Sequence, residues 1–139
     1  MNYRDKYTVG QKFNFSKKIE DIDVHRFAEL SGDKNPIHLD DNFAEKSVFK
    51  KRIVHGMLIA SYISKILGND FPGKGAIYLG QNLKFLAPVF IGDEIQIIVE
   101  LQKIREDKPI LVFSTLCFKK GEPTCFLEGE AIMKVSDND

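Results

Sequence analysis

Asp33 and His38, five positions apart, are the two side chains in this sequence best suited to moving a proton. They lie in the run Leu30-Ser31-Gly32-Asp33-Lys34-Asn35-Pro36-Ile37-His38-Leu39-Asp40. Gly32 and Pro36 impose special backbone angles there, so the carboxylate and the imidazole can converge in a way that regular spacing would not allow. Such a pair can hold one water, one group taking its proton while the other orients it, a service worth roughly 10²–10⁴ in rate. The competing reading is local: Asp and Asn beside a proline commonly bond their own backbone in Asx-turns.

A second signal stands at Ile53-Val54-His55-Gly56-Met57, where a glycine opens a very apolar stretch. Backbone N–H groups at a helix start have no intrahelical acceptor, and the positive end of the helix dipole lies there. Without a Cβ, Gly56 lets a ligand oxygen come close, and one donor to a developing oxyanion is worth roughly 2.7–4 kcal/mol. A tight turn or close packing of the helix would also call for glycine at this position. Asn35 either orients the loop or caps a turn, and Ser64 either faces a pocket or bonds its own i−4 carbonyl. His55, just ahead of the helix, has a supporting place, and Asp40 and Asp41 read as solvated.

The elements that must position these residues are legible in the pattern. Phe13 and Phe15 alternate along a short strand, Lys12 to Ile19. Glu20 to Asp23 then supply acidic residues at a helix start, Val24, Phe27, Ala28 and Leu30 follow at helical spacing, and Gly32 stops the run. Asp33 to Arg52 is long, polar and broken by Pro36, with a short helix expected near Asn42 to Lys46. Gly56 to Leu67 is apolar almost all round and predicts a buried helix stopped by Gly68. Beyond Gly75 the sequence predicts strands at Ala76 to Leu86, Glu94 to Arg105, Ile110 to Lys119 and Thr124 to Val135, with Ile95, Ile97, Val99 and Leu101 on one buried face. The breaks between them are short, which favours antiparallel pairing. The expected class is α+β, an antiparallel sheet wrapped on one buried helix.

The 139 residues suit a single domain, and 43% hydrophobic with 29% charged residues is ordinary for a globular chain. Twenty acidic and twenty basic residues cancel, without the basic stripe of a nucleic-acid reader. The N-terminal residues Met1 to Tyr7 lack a signal-peptide apolar run, and no segment reaches the ~20 apolar residues of a membrane span. Cys117 and Cys125 flank a turn and are expected as reduced thiols, so a cytoplasmic location is expected. No set of residues has metal-ligand spacing, and neither a metal nor another cofactor is expected.

At the Asp33 motif the sequence resembles the MaoC-like (R)-specific enoyl-CoA hydratases, the hydratase 2 family. Their signature reads here Phe27-Ala28-Glu29-Leu30-Ser31-Gly32-Asp33-Lys34-Asn35-Pro36-Ile37-His38-Leu39-Asp40, with no departure at any motif position. The likeness continues through Ile53 to Leu58, Pro72 to Gly75, Tyr78 to Gln81, Pro88 to Glu94 and Arg105 to Ile110, nearly the whole chain. It is especially close to the small bacterial enzymes that feed (R)-3-hydroxyacyl-CoA into polyhydroxyalkanoate synthesis.

The resemblance implies one hot dog domain over residues 1–139, with the motif segment overhanging the central helix. It implies that Asp33 and His38 activate a water, that the Gly56 N–H binds the thioester oxygen, that Asn35 supports the site and that Ser64 lines the pocket. The implied reaction is syn addition of water to a trans-2-enoyl-CoA. CoA belongs to the substrate there, and a homodimer is the implied assembly, with neither nucleic acid nor membrane as a partner. Lys50, Lys51, Arg52 and Lys74 are equal candidates for the CoA phosphates. An acyl-carrier-protein dehydratase, a hot dog thioesterase and a non-catalytic acyl-CoA-binding module are the alternatives. The thioesterase would need water to attack the carbonyl rather than C3, and the Asp33/His38 motif argues against it; the binding module has no need of Asp33 and His38 together.

Overall fold

A computed structural model describes residues 2–137 of the chain. It begins with α1 (Tyr3–Lys6), β1 (Lys12–Lys18) and α2 (Asp21–Ser31). Two short helices follow, α3 (Pro36–Leu39) and α4 (Asp41–Glu45), and then the long helix α5 (Gly56–Lys65). Strands β2 (Ile77–Gln81), β3 (Lys84–Phe85), β4 (Glu94–Ile104), β5 (Ile110–Lys119) and β6 (Cys125–Lys134) complete the chain. The strands form one antiparallel sheet in the order β1-β4-β5-β6-β2, with β3 also pairing with β6. The α+β architecture expected from the pattern is the one observed.

Period-two alternation decides which face of the sheet is dry. Ile95, Ile97, Val99 and Leu101 are completely buried, and so are Leu111, Phe113, Thr115 and Cys117 across from them on β5. Leu58, Ile59 and Ile63 of α5 join the same apolar cluster, with Ile66 and Leu67 just beyond. This burial is what seats the helix against the sheet.

Three details differ from the sequence expectation. Gly68 does not stop the helix; α5 passes into a π-helical turn, Ile66–Asp70, whose end is tied by the Phe71 N–H to the Ile66 carbonyl at 2.8 Å. Nor is α5 buried all round: Met57, Ser61 and Ser64 form an open edge. The strand expected over Ala76 to Leu86 is split at Asn82. At the split the Asn82 backbone lies so close to Gly129 of β6 that a Cβ on Gly129 would come within 2.0 Å of the Asn82 oxygen. Asn82 is held there by donating its N–H to the Glu130 carbonyl at 3.1 Å and accepting at Oδ1 from the Glu130 N–H at 3.0 Å.

The overhang is built from local signals. Glu20 and Asp23 form a reciprocal capping box at the start of α2, and Gly32 closes it in the left-handed conformation (φ 82°). Asn35 caps α3 through its side-chain oxygen, Pro36 takes the first helical position, and Asp40 caps α4. The helix expected near Asn42 to Lys46 is therefore α4, one residue earlier. Asp40 is solvated as expected, and also holds the Asn42 and Phe43 N–H groups.

Candidate active site

Asp33 leaves the left-handed turn at Gly32 with its N–H bonded to Ser31 Oγ at 3.1 Å and its Oδ1 accepting from the Asn35 N–H at 3.3 Å. The Asx-turn and the convergent pair, alternatives at the level of sequence, are thus both present: the turn is the device that orients the carboxylate. Asn35 in turn accepts from the Ile37 N–H at 3.2 Å, so its side chain caps the helix that carries His38.

His38 is nearly buried, and its Nδ1 lies 2.7 Å from the Ile53 carbonyl. A carbonyl only accepts, so Nδ1 is the donor nitrogen, which leaves Nε2 as the ring atom turned away from the backbone. His55 is 1% exposed, with Nε2 3.0 Å from the Asp33 carbonyl, which makes Nε2 its donor nitrogen. Its Nδ1 is buried without a hydrogen-bond partner. The two imidazoles stack with centroids 3.9 Å apart, and Phe27 closes the other side of His55 at 4.9 Å. Burial holds the His55 pKa below its ordinary value; the bond to the Asp33 carbonyl opposes this and the nearby His38 adds to it. His55 is therefore a neutral platform beneath His38.

Gly56 opens α5 immediately after His55, the N-cap residue. A Cβ on Gly56 would lie 2.6 Å from Cε1 of Phe85. The glycine therefore leaves room for the Phe85 ring where it stands, whatever its N–H does. Asp33, His38, Gly56 and Phe85 line a common cleft of about 430 Å³, with His55, Met57 and the apolar residues Val89 and Leu127 among its other walls. A polar dyad at one wall and a helix start at another, around an apolar floor, suit a substrate with a reactive polar head and a greasy tail.

Asp33, His38 and His55 bring ligand-type atoms to within 4.8 Å of one another, a gathering that their spacing along the chain does not reveal. Both histidines give one nitrogen to a backbone carbonyl, and this fixes their ring orientation within the set.

Ser64 is not brought to this cleft. It lines a second groove with Ser61, Tyr78 and Gln81, and Met57 borders both spaces. Ser61 is spent on its own helix, donating to the Leu58 carbonyl at 2.6 Å. The Tyr78 hydroxyl bonds Gln81, whose amide reaches the buried Thr115 hydroxyl at 3.0 Å. Sequence reasoning missed Phe85 and the Ile53 carbonyl altogether, since neither carries a local signal of chemistry.

The family model described as MaoC like domain matches residues 5–115. An (R)-specific enoyl-CoA hydratase of Aeromonas caviae is 50% identical over 127 residues, 91% of this chain and 94% of that protein. One from Rhodospirillum rubrum is 42% identical over 135 residues, 97% of this chain and 92% of that protein. The solved structure of the A. caviae (R)-hydratase involved in PHA biosynthesis superposes with a TM-score of 0.90 at 48% identity, covering 94% of this chain and 98% of that one.

Proposed function

The chain belongs to the MaoC-like domain family, and on that premise we propose that it catalyses reversible (R)-specific hydration of trans-2-enoyl-CoA to (R)-3-hydroxyacyl-CoA. The observation that carries the reading is the placement of Asp33, His38 and Gly56 around one largely apolar cleft. Asp33 and His38 Nε2 hold the water between them. One removes its proton as oxygen bonds to C3, and the proton is returned to C2 on the same face. Negative charge spreads toward the thioester oxygen, where the Gly56 N–H and the positive end of α5 receive it. Asn35 and His55 act through the dyad: the first caps α3 beneath His38, the second ties the Asp33 backbone and supports the His38 ring. Addition of water to an activated double bond needs no redox partner, and CoA enters as part of the substrate.

The rest of the reading concerns setting. We place the chain as one hot dog domain that works as a homodimer. In support, β2 is an edge strand with Ile77, Tyr78 and Leu79 partly or fully exposed, and Met57, Phe85 and Leu86 at the cleft are equally open. A second copy laid along that edge would cover both. Two free cysteines support a cytoplasmic setting; among the described residues no helix is long and apolar enough to cross a membrane. Supply of (R)-3-hydroxyacyl-CoA for polyester synthesis is the proposed role, by likeness to the A. caviae enzyme.

The test is loss of enoyl-thioester absorbance when the purified protein meets crotonyl-CoA, with product configuration read by a (3R)-specific dehydrogenase. Rapid loss with (R) product is expected. An (S) product would overturn the placement of water relative to Gly56. Activity confined to carrier-protein thioesters would move the chain to the dehydratases of fatty-acid synthesis.

A further inference from the structure

Arg52 was one of four equivalent cations for the CoA phosphates at the level of sequence. Its surroundings give it other work. The guanidinium is only 13% exposed; Nη2 lies 2.9 Å from Asp21 Oδ1 and Nε 2.9 Å from Asp41 Oδ1. Nη1 reaches the backbone carbonyl of His38 at 3.4 Å. Asp21 is the first residue of α2, Asp41 the first of α4, and His38 lies in α3. One planar fork therefore joins the three helices that frame the dyad, a geometry that lysine cannot reproduce.

The main chain completes the hold. Next to Arg52, Ile53 donates its N–H to the Ile37 carbonyl at 3.2 Å and accepts from His38 Nδ1 at 2.7 Å. Val54 is anchored to the Val89 carbonyl at 2.7 Å. Residues 52–54 thus form a strap between the sheet side of the cleft and the overhang, and Arg52 fastens its outer edge. Three of its five N–H donors are thereby directed at the protein, to two carboxylates and a carbonyl.

We propose that Arg52 is a positioning residue for catalysis, holding His38 in register with Asp33 by clamping α2, α3 and α4 to the strap that precedes Gly56. The proposal rests on the hydratase reading. The two aspartates are 54% and 88% exposed, and ion pairs of that kind add little stability. The effect should thus appear in the geometry of the dyad rather than in the stability of the fold.

The experiment is a double-mutant cycle of Arg52→Met with His38→Ala, followed by hydration of crotonyl-CoA. Arg52→Met alone should lower kcat by roughly tenfold to a hundredfold, the scale of an ångström-sized misplacement, with KM nearly unchanged. In the His38→Ala background it should cost nothing more. Equal losses in both backgrounds, full activity, or a raised KM with unchanged kcat would each overturn the proposal, the last assigning Arg52 to the CoA phosphates. Nitrogen-15 spectra of the His38 ring give a readout that needs no turnover. The wild type should hold the Nδ1–H tautomer and Arg52→Met should show a mixture, and an unchanged spectrum would sink the clamp. Absence of hydration by the wild type would instead overturn the functional reading, leaving the spectra to judge Arg52. Should Arg52→Met fail to fold, Asp21→Asn combined with Asp41→Asn weakens the clamp while keeping the guanidinium, with the same expectations.

Discussion

The imidazoles of His38 and His55 lie face to face, centroids 3.9 Å apart and planes inclined by 27°. His55 also donates from Nε2 to the Asp33 carbonyl and stands directly before Gly56. A single residue thus touches the His38 ring, the backbone of Asp33 and the peptide at which α5 begins. Replacing it with Phe keeps a ring under His38 and removes both the bond to Asp33 and the buried, unpartnered Nδ1. We expect His55→Phe to fold, with kcat lowered roughly tenfold to a hundredfold and KM little changed. Steady-state hydration and thermal unfolding check both halves.

Acid should weaken the fold through the same residue. In the unfolded chain His55 takes up a proton near its ordinary value of 6.5, whereas in the native protein burial lowers the pKa. Below that value the unfolded state binds more protons, so stability falls as pH drops from 6.5 toward the lowered native pKa. Urea midpoints measured at pH 7.5 and 5.5 should show this loss, and His55→Phe should reduce it.

Asp33→Asn is the cleaner test of the dyad. The amide oxygen can still accept from the Asn35 N–H, so the turn survives while the carboxylate is lost. Hydration should fall by about 10² or more, with an unchanged circular dichroism spectrum. Near wild-type turnover would remove Asp33 from the mechanism.

Gly56→Ala acts through Phe85. The new methyl would meet the ring at 2.6 Å, and the ring, half exposed at the end of a flexible side chain, can swing away into the cleft. The expected result is a raised KM with a small change in thermal midpoint. Pairing it with Phe85→Ala should bring KM back toward the value of Phe85→Ala alone.

Gly129→Ala should damage the fold itself. Its methyl would lie 2.0 Å from the Asn82 backbone oxygen, which has no rotamer to escape with. A loss of about 1–3 kcal/mol is expected from overpacking, read from denaturant unfolding. Detachment of β3 should follow, exposing the amides that pair Lys84 and Phe85 with β6 to hydrogen exchange.

The sequence by itself determined whatever depends on near neighbours. The left-handed stop at Gly32, the turn-capping Asn35 and the alternation from Ile95 to Leu101 are short-range physics and appear where the pattern puts them, whereas the short helix that starts at Pro36 and the Asp40 cap of α4 lie in a stretch read only as polar and broken by proline. The same physics placed Asp33 and His38 on one short, stiff stretch. Only the tertiary structure decided the rest. His55 finds Asp33 from 22 positions away, Arg52 finds Asp21 from 31, and Asn82 presses on Gly129 across the sheet. The open edge of α5 at Met57, Ser61 and Ser64 belongs with these, because a composition apolar all round cannot say which side the sheet will cover. Such partners are chosen by how the helices settle on the sheet, and residue type and spacing carry no record of that choice.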